Sequence, residues 1–166
     1  MKPKIAIIYE QPQSSDQQKI IAFLTKHWGS PEIVSQGKKV NAALLPRVIA
    51  RDEKGKLLGL ATYAIDHENR ACELVSIDSV ILGKGIGTQL LSAVEKEAKK
   101  VGCHKLWLVT TNDNPEAAAF YVKRGFRLTK VCLDALEKSR QLKPQIPKIG
   151  KHGLPLQDEW LFEKEL

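Results

Sequence analysis

The 166-residue sequence has few of the features that mark secreted or membrane proteins. Its three cysteines are an odd number at wide spacing, which fits neither a disulfide framework nor a zinc site. Its longest candidate apolar run, at positions 5–8, is far shorter than the ~18 residues of a membrane span. The N-terminal sequence also lacks the pattern of a signal peptide. We therefore expect a soluble, cytoplasmic protein with free thiols, no metal centre and no membrane contact.

The composition favours one folded domain with a preference for anionic partners. Apolar residues make up 43% of the chain, and there are only 11 Gly and 8 Pro, which excludes disordered and fibrous proteins. Lys and Arg number 26 against 19 Asp and Glu, a formal charge of +7. Such an excess suits nucleic acid, an acidic membrane or a polyphosphate cofactor, and charge alone does not choose among them.

The hydropathy pattern predicts an α/β (α+β) protein with a mixed, mostly antiparallel sheet flanked by helices. Helices are predicted at 15–27, from the glycines at 83–87 to Gly102, and from Asn114 to Gly125. The basic segment 134–158 contains Pro and Gly, and its 138–152 part is predicted to be a long irregular loop that lines a pocket or forms a solvated face. The predicted strands are 5–9, 48–50, 57–65, 71–80, 105–110, 126–133 and 159–162.

A glycine-rich turn, Gly83-Lys84-Gly85-Ile86-Gly87-Thr88, lies between a predicted strand and a predicted helix. Glycines allow a sharp turn and close approach of a ligand, and the free N–H groups of the first helical turn attract phosphate. The dinucleotide motif would need Gly at position 88, and the chain contains no P-loop tripeptide. The turn is therefore either a phosphate site of another kind or a plain structural turn.

A second pattern follows the strand at 105–110. Asn114 and Pro115 open a short helix in which small residues at 117–119 allow close packing. Tyr121 lies four residues after Ala117, on the same helical face. From spacing alone this tyrosine is either a core residue or part of a site.

Together these two segments resemble the GCN5-related N-acetyltransferase (GNAT) superfamily. The family signature Asn-x-x-Ala-x-x-Phe-Tyr-x-x-x-Gly-Phe is present in full from Asn114 to Phe126. The resemblance covers about residues 57–133, with Glu73 where the family often has a glutamate on its central strand. Segments 27–30, 142–147 and 152–155 are similar to an uncharacterised bacterial group of the family.

The resemblance implies transfer of an acetyl group from acetyl-CoA to a primary amine of a small molecule, peptide or protein. Glu73 would be the general base and Tyr121 would give a proton to the sulfur. Main-chain amides around Ile77 and Ser79 would hold the pantetheine arm and the carbonyl, and Asn114 would contact the same arm. The pyrophosphate would bind to Lys84, Gly85, Ile86, Gly87 and Thr88.

Several points depart from the family pattern or stay open. Leu82 stands where the family usually has Gln or Arg, so binding would depend more on backbone amides. Strand alternation puts Glu73, Ile77 and Ser79 on one face, so Asp78 competes as the base only if the strand is bulged. His152 and a water are further candidates for the base.

Two other functions compete with acetyl transfer. The +7 charge motivates a nucleic-acid-binding module, but the basic residues are dispersed and no RNA-binding, zinc or helix-turn-helix pattern occurs. A non-catalytic CoA-binding protein on the same fold is the other alternative. A homodimer is compatible with the sequence, which does not identify the acceptor.

Overall fold

The computed structural model of the protein describes residues 6–166. Its helices are α1 (Gln17–Trp28), α2 (Ile86–Lys100), α3 (Pro115–Val122) and α4 (Ala135–Leu142), with 3-10 turns at Ser14–Asp16, Ala42–Leu44 and Lys151–Gly153. Its strands are β1 (Ile7–Glu10), β2 (Glu32–Ser35), β3 (Lys38–Asn41), β4 (Arg47–Asp52), β5 (Leu57–Asp66), β6 (Ala71–Ser79), β7 (Lys105–Thr111), β8 (Arg127–Cys132) and β9 (Glu159–Glu165).

The described chain contains a mixed seven-stranded sheet in the order β1-β4-β5-β6-β7-β9-β8. Its neighbouring strands are antiparallel except β6 and β7, which are parallel. The predicted fold class is therefore confirmed. β2 and β3 pair only with each other, as a separate hairpin.

Apolar side chains cover both faces of this sheet. On one face, α2 and α3 bury Leu90, Val94 and Tyr121 in the larger cluster. On the other face, α1 buries Ile20 and Leu24 against β2 and the centre of the sheet. The central strands of the sheet are thus packed between helices on both faces.

Strands β6 and β7 separate part-way along their length. They are paired from Ala71 and Lys105 as far as Leu74 and Leu108, although both strands continue beyond that point. At the same place the β5–β6 register shifts, because Thr62 pairs with Ser76 and Tyr63 with Leu74. The extra residue between them, Val75, forms a β-bulge that bends β6 away from β7.

Most predicted elements are present with adjusted ends. Ile5, predicted to begin the first strand, lies outside the described residues, and β9 is longer than predicted. Val101 does not extend the apolar stripe of α2, because the helix ends at Lys100 and Val101 is exposed. Gly102 ends α2 with a φ of 83°, as predicted. The longest described helix, α2, has 15 residues, and no helix in residues 6–166 combines the length and hydropathy of a membrane span.

Two predictions were wrong by omission. The β2–β3 hairpin was not predicted, because its short strands carry polar residues and make no pairs with the main sheet. The segment 138–152 is not all irregular, because α4 extends to Leu142. Arg140 in α4 donates hydrogen bonds to the carbonyls of Ile146, Pro147 and Leu156, which fixes the path of the chain after the helix.

Gly59 lets the first turn of α2 lie directly on β5. A Cβ added there would lie 2.7 Å from Ile86 Cγ2 and 3.0 Å from Leu90 Cδ1. We expect Gly59→Ala to lower the free energy of unfolding by about 1–3 kcal/mol through overpacking, measured by urea denaturation. The cost should be smaller in an Ile86→Ala background, where the clashing methyl is absent. An equal cost in both backgrounds would contradict this packing account.

Candidate active site

A cavity of about 540 Å³ opens where β6 and β7 separate. Its walls come from the end of α1, the β2–β3 hairpin, the separated strands and the segment after α4. The residues used below that line it are Trp28, Ser35, Glu73, Asp78, Asp113, Asn114, Lys143, Lys151 and Glu159. The parting of the strands therefore opens this cavity towards the centre of the sheet.

The bulge at Val75 puts Glu73 and Asp78 on the same face of the sheet. Glu73 pairs with Ala64 and Asp78 with Leu60 on β5, and residues an even number apart on a strand share a face. Both carboxylates line the cavity. The predicted alternation was therefore wrong beyond Val75: Ile77 pairs with Ala61 and Ser79 with Gly59, so both point to the face opposite Glu73. The strand is bulged, which was the condition under which Asp78 competes with Glu73 as the base.

Asp78 is held in one orientation at the cavity wall. The Trp28 indole nitrogen donates a hydrogen bond of 2.7 Å to Asp78 Oδ2. Burial raises the pKa of the Asp78 carboxyl, while this hydrogen bond and the charges of His27 and Lys151 act in the opposite direction. The carboxyl therefore titrates closer to neutrality than an exposed aspartate.

Glu73 is a half-buried carboxylate with no protein donor among residues 6–166. Burial raises its pKa, the charge of Lys38 lowers it, and the charge of Glu159 raises it. Glu159 is 2% exposed and accepts hydrogen bonds from the main chain and side chain of Gln36, at the tip of the β2–β3 hairpin. The hairpin is thus fastened over the part of the cavity that contains Glu73.

The glycine-rich turn presents free donors at the start of α2. Gly83 and Gly85 have φ of 72° and 73°, and an added Cβ at either would meet nothing within 4 Å. Within residues 6–166, no main-chain N–H from 83 to 88 donates to a protein acceptor. Lys84 is exposed beside them. The turn has the open geometry that an anion requires.

Two residues of the predicted phosphate site act differently from their neighbours. The Ile86 side chain is 1% exposed in the core, so only its main-chain N–H faces the turn. The Thr88 hydroxyl accepts hydrogen bonds from Arg124, whose guanidinium also stacks 3.5 Å over the Phe120 ring. Sequence reasoning missed Arg124, a cation held against the first turn of α2.

The main chain of β6 faces the gap at Ile77 and Ser79. Val80 donates its N–H to the Leu58 carbonyl at 2.9 Å, so residues an even number from Val80 bond to β5. The N–H groups of Ile77 and Ser79 point the other way, towards β7, where strand pairing has ended. They are free to bind an extended ligand in the gap.

Asn114, at the start of α3, lines the cavity, whereas Tyr121, further along the same helix, lies in the core and does not line it. Asn114 caps the helix, with its Oδ1 accepting the N–H of Ala117 at 3.2 Å, which leaves its amide nitrogen for other partners. Tyr121 is 8% exposed among Phe120, Phe126 and Phe162. Burial and the charge of Asp78 raise the pKa of the Tyr121 phenol, which therefore keeps its proton at neutral pH.

His152 lies apart from this arrangement. Its Nε2 is 2.7 Å from Glu116 Oε1 at the surface, and it does not line the cavity. From the same segment, Lys143 does reach the cavity, and its ammonium donates to the carbonyls of Trp28 and Glu32 at 2.9 and 2.6 Å. Burial lowers the pKa of Lys143. Among the described residues, no group of three or more His, Cys, Asp or Glu is arranged to hold a metal.

The chain belongs to the acetyltransferase (GNAT) family, whose model matches residues 16–126. A relative, the uncharacterized protein YdhI of Bacillus subtilis (strain 168), is 44% identical over 142 residues, which is 86% of this chain and 88% of the relative. The family resemblance expected from the sequence is confirmed.

Solved structures show the same fold at low sequence identity. A GCN5-related N-acetyltransferase from Kribbella flavida superposes with a TM-score of 0.73, at 15% identity, over 97% of this chain and 98% of that one. A GNAT family acetyltransferase from Elizabethkingia anophelis with acetyl-CoA bound gives a TM-score of 0.67, at 20% identity, over 98% and 100%.

The raised pKa of Glu73 predicts a pH-dependent stability difference. The native state holds this proton more tightly than the unfolded chain, so ionisation of Glu73 destabilises the fold as pH rises above about 4.3. We expect the stability of Glu73→Gln relative to wild type to rise with pH above about 4.3 until the native carboxyl is fully ionised, and to stay constant at lower pH. Urea denaturation at several pH values measures this.

Glu53→Gln is the control, since Glu53 is exposed in the β4–β5 turn and does not line the cavity. A stability difference between Glu73→Gln and wild type that does not change with pH would contradict the burial of this carboxylate in solution.

Proposed function

We propose that the protein is an N-acetyltransferase, in one domain, that moves the acetyl group of acetyl-CoA to a primary amine. The observation that carries this proposal is the alignment of three parts along one gap: the open turn at 83–88, the free main chain of Ile77 and Ser79, and a cavity with two carboxylates. A CoA thioester requires a site for its phosphates, a groove for its extended pantetheine arm and a pocket for the reacting groups.

The turn would bind the pyrophosphate. Main-chain N–H groups of Gly85, Ile86, Gly87 and Thr88 lie at the positive end of α2, and Lys84 adds a nearby cation. The exposed Leu82 adds no charge. Ile77, Ser79 and Asn114 would hold the pantetheine arm, which supplies the acetyl thioester. The charged nitrogen of this account, on Lys84, therefore lies at the phosphate end and not along the arm.

The amine must lose a proton before it attacks. An alkylammonium has a pKa of about 10.4, so a base must take its proton. Glu73 is the proposed base, directly or through a water, because its pKa is raised and it has no competing donor. Asp78 is the second carboxylate of the cavity, and its oxygen is already bonded to Trp28.

The leaving thiolate needs a proton as the new amide forms. The amine nitrogen bonds to the acetyl carbon, the carbon–sulfur bond breaks, and the electron pair goes to sulfur. Tyr121 would donate its phenolic proton to that sulfur, because a phenol, with a reference pKa of about 10, is protonated at neutral pH. The main-chain N–H groups of β6 would stabilise the oxyanion formed on the carbonyl. The ammonium thus loses its first proton to Glu73 before it attacks. It loses a second proton as it becomes an amide, and this proton replaces the one that Tyr121 gives to the sulfur.

Binding of the cofactor can be tested without turnover. We expect calorimetry to show CoA binding by the wild type, and Lys84→Glu to weaken it about tenfold by placing a negative charge beside the phosphates. Lys54→Glu, the same change in the exposed β4–β5 turn, should leave the affinity unaltered. Equal affinities for the two variants would show that the turn at 83–88 does not bind CoA.

Catalysis is tested by CoA release with a panel of amines. We expect Tyr121→Phe and Glu73→Gln each to lower kcat by about 10²-fold or more, with CoA affinity retained. Glu73→Gln should also remove the acidic limb of the pH–rate profile. If Asp78→Asn removes that limb and Glu73→Gln does not, the base is Asp78. CoA binding without release for any amine would instead favour a non-catalytic CoA-binding protein.

A further inference from the structure

The cavity contains more negative charge than one reacting amine requires. Four carboxylates line it, from Glu73, Asp78, Asp113 and Glu159, in a protein with a formal charge of +7. The ion pairs among residues 6–166 involve none of these four. Lys143 and Lys151 also line the cavity, but neither forms an ion pair with these carboxylates, so the basic residues do not neutralise them by direct contact.

Two of the four carboxylates already have protein partners. Asp113 accepts hydrogen bonds from the Thr111 hydroxyl at 2.5 Å and the Lys151 main chain at 2.9 Å. Glu159 is bonded to Gln36. These two carboxylates hold the walls of the cavity in place, which leaves the other two for a ligand.

Glu73 and Asp78 keep free acceptor positions. Within the described chain, the Glu73 carboxylate accepts no hydrogen bond, and the Asp78 carboxylate accepts only the indole N–H of Trp28. Lys38 lowers the pKa of Glu73, and His27 and Lys151 lower the pKa of Asp78, but none of these cations forms an ion pair with the two carboxylates. A buried carboxylate without a counter-charge is costly, so each of the two favours a cationic ligand group.

The two carboxylates are too far apart for one ammonium group. Their partners on β5, Ala64 and Leu60, are four residues apart along the strand, which corresponds to about 14 Å between main-chain positions. Side chains stand roughly perpendicular to a sheet, so the carboxylates do not converge. An acceptor with a single charge would leave one of them without a partner.

The surroundings of the carboxylates fit the same kind of ligand. The Ser35 hydroxyl is buried, lines the cavity and has no hydrogen-bond partner, so it offers a further acceptor for an N–H group. The Trp28 ring is 39% exposed beside Asp78, and an aromatic face next to a carboxylate attracts cations. A volume of about 540 Å³ suits a small molecule.

We propose that the acceptor is a small amine with a second positively charged group, bound between Glu73 and Asp78. One carboxylate would receive the proton of the reacting ammonium, and the other would bind the second cation. This inference rests on the proposed function, because it assigns the substrate of the same site. It does not depend on which of the two carboxylates is the base.

The test compares α,ω-diaminoalkanes with monoaminoalkanes of equal chain length. Binding is measured by calorimetry in the presence of CoA, which cannot react, and turnover is measured as CoA release from acetyl-CoA. We expect the best diamine to bind at least about tenfold more tightly than its matched monoamine. That preference should fall in both Glu73→Gln and Asp78→Asn and persist in Glu53→Gln, which removes one negative charge outside the cavity.

The outcomes separate this inference from the proposed function. Diamines that bind selectively but release no CoA would support the cationic site and contradict acetyl transfer. CoA release with equal efficiency for monoamines and diamines, or equal binding of the two, would overturn the two-cation acceptor while leaving acetyl transfer in place. A preference that survives in both cavity variants would also overturn it, because the charge would then be bound elsewhere.

Discussion

The end of strand pairing at Leu74 and Leu108 is the constraint on which the site depends. Because β6 and β7 separate there, main-chain groups that would otherwise bond across the sheet become available to a ligand. The bulge at Val75 lies at the same position and turns Asp78 onto the face that carries Glu73. A single irregularity thus opens the gap, supplies its donors and brings two carboxylates into one cavity.

Charge is distributed differently at the two ends of this gap. At the turn, main-chain N–H groups, Lys84 and Arg124 form a positive region around the start of α2. In the cavity, Glu73 and Asp78 are half-buried and form no ion pairs among the described residues. The net charge of the chain describes neither end, since a basic protein contains an acidic cavity beside a basic turn.

The family motifs made the fold and the turn predictable, because glycine spacing and helical periodicity are local properties of the sequence. The Asn114–Phe126 signature placed Asn114 and Tyr121 correctly on one helix. The β6 bulge, in contrast, depends on pairing with β5, and strict alternation gave the wrong face for Ile77. Arg124 and Glu159 act through partners 36 and 123 residues away, Thr88 and Gln36, which no sequence spacing reveals.

Arg140 fixes the segment after α4 through main-chain carbonyls alone. These hydrogen bonds therefore do not depend on the side chains of the segment, provided that its backbone conformation is unchanged. Part of the cavity wall is formed by Gln145, Ile146 and Leu156. We expect substitution of these side chains to have little effect on the hydrogen bonds that Arg140 makes to the main chain. Substitutions in this segment can consequently reshape the cavity wall, while the glycine-rich turn and the gap between β6 and β7 stay as they are.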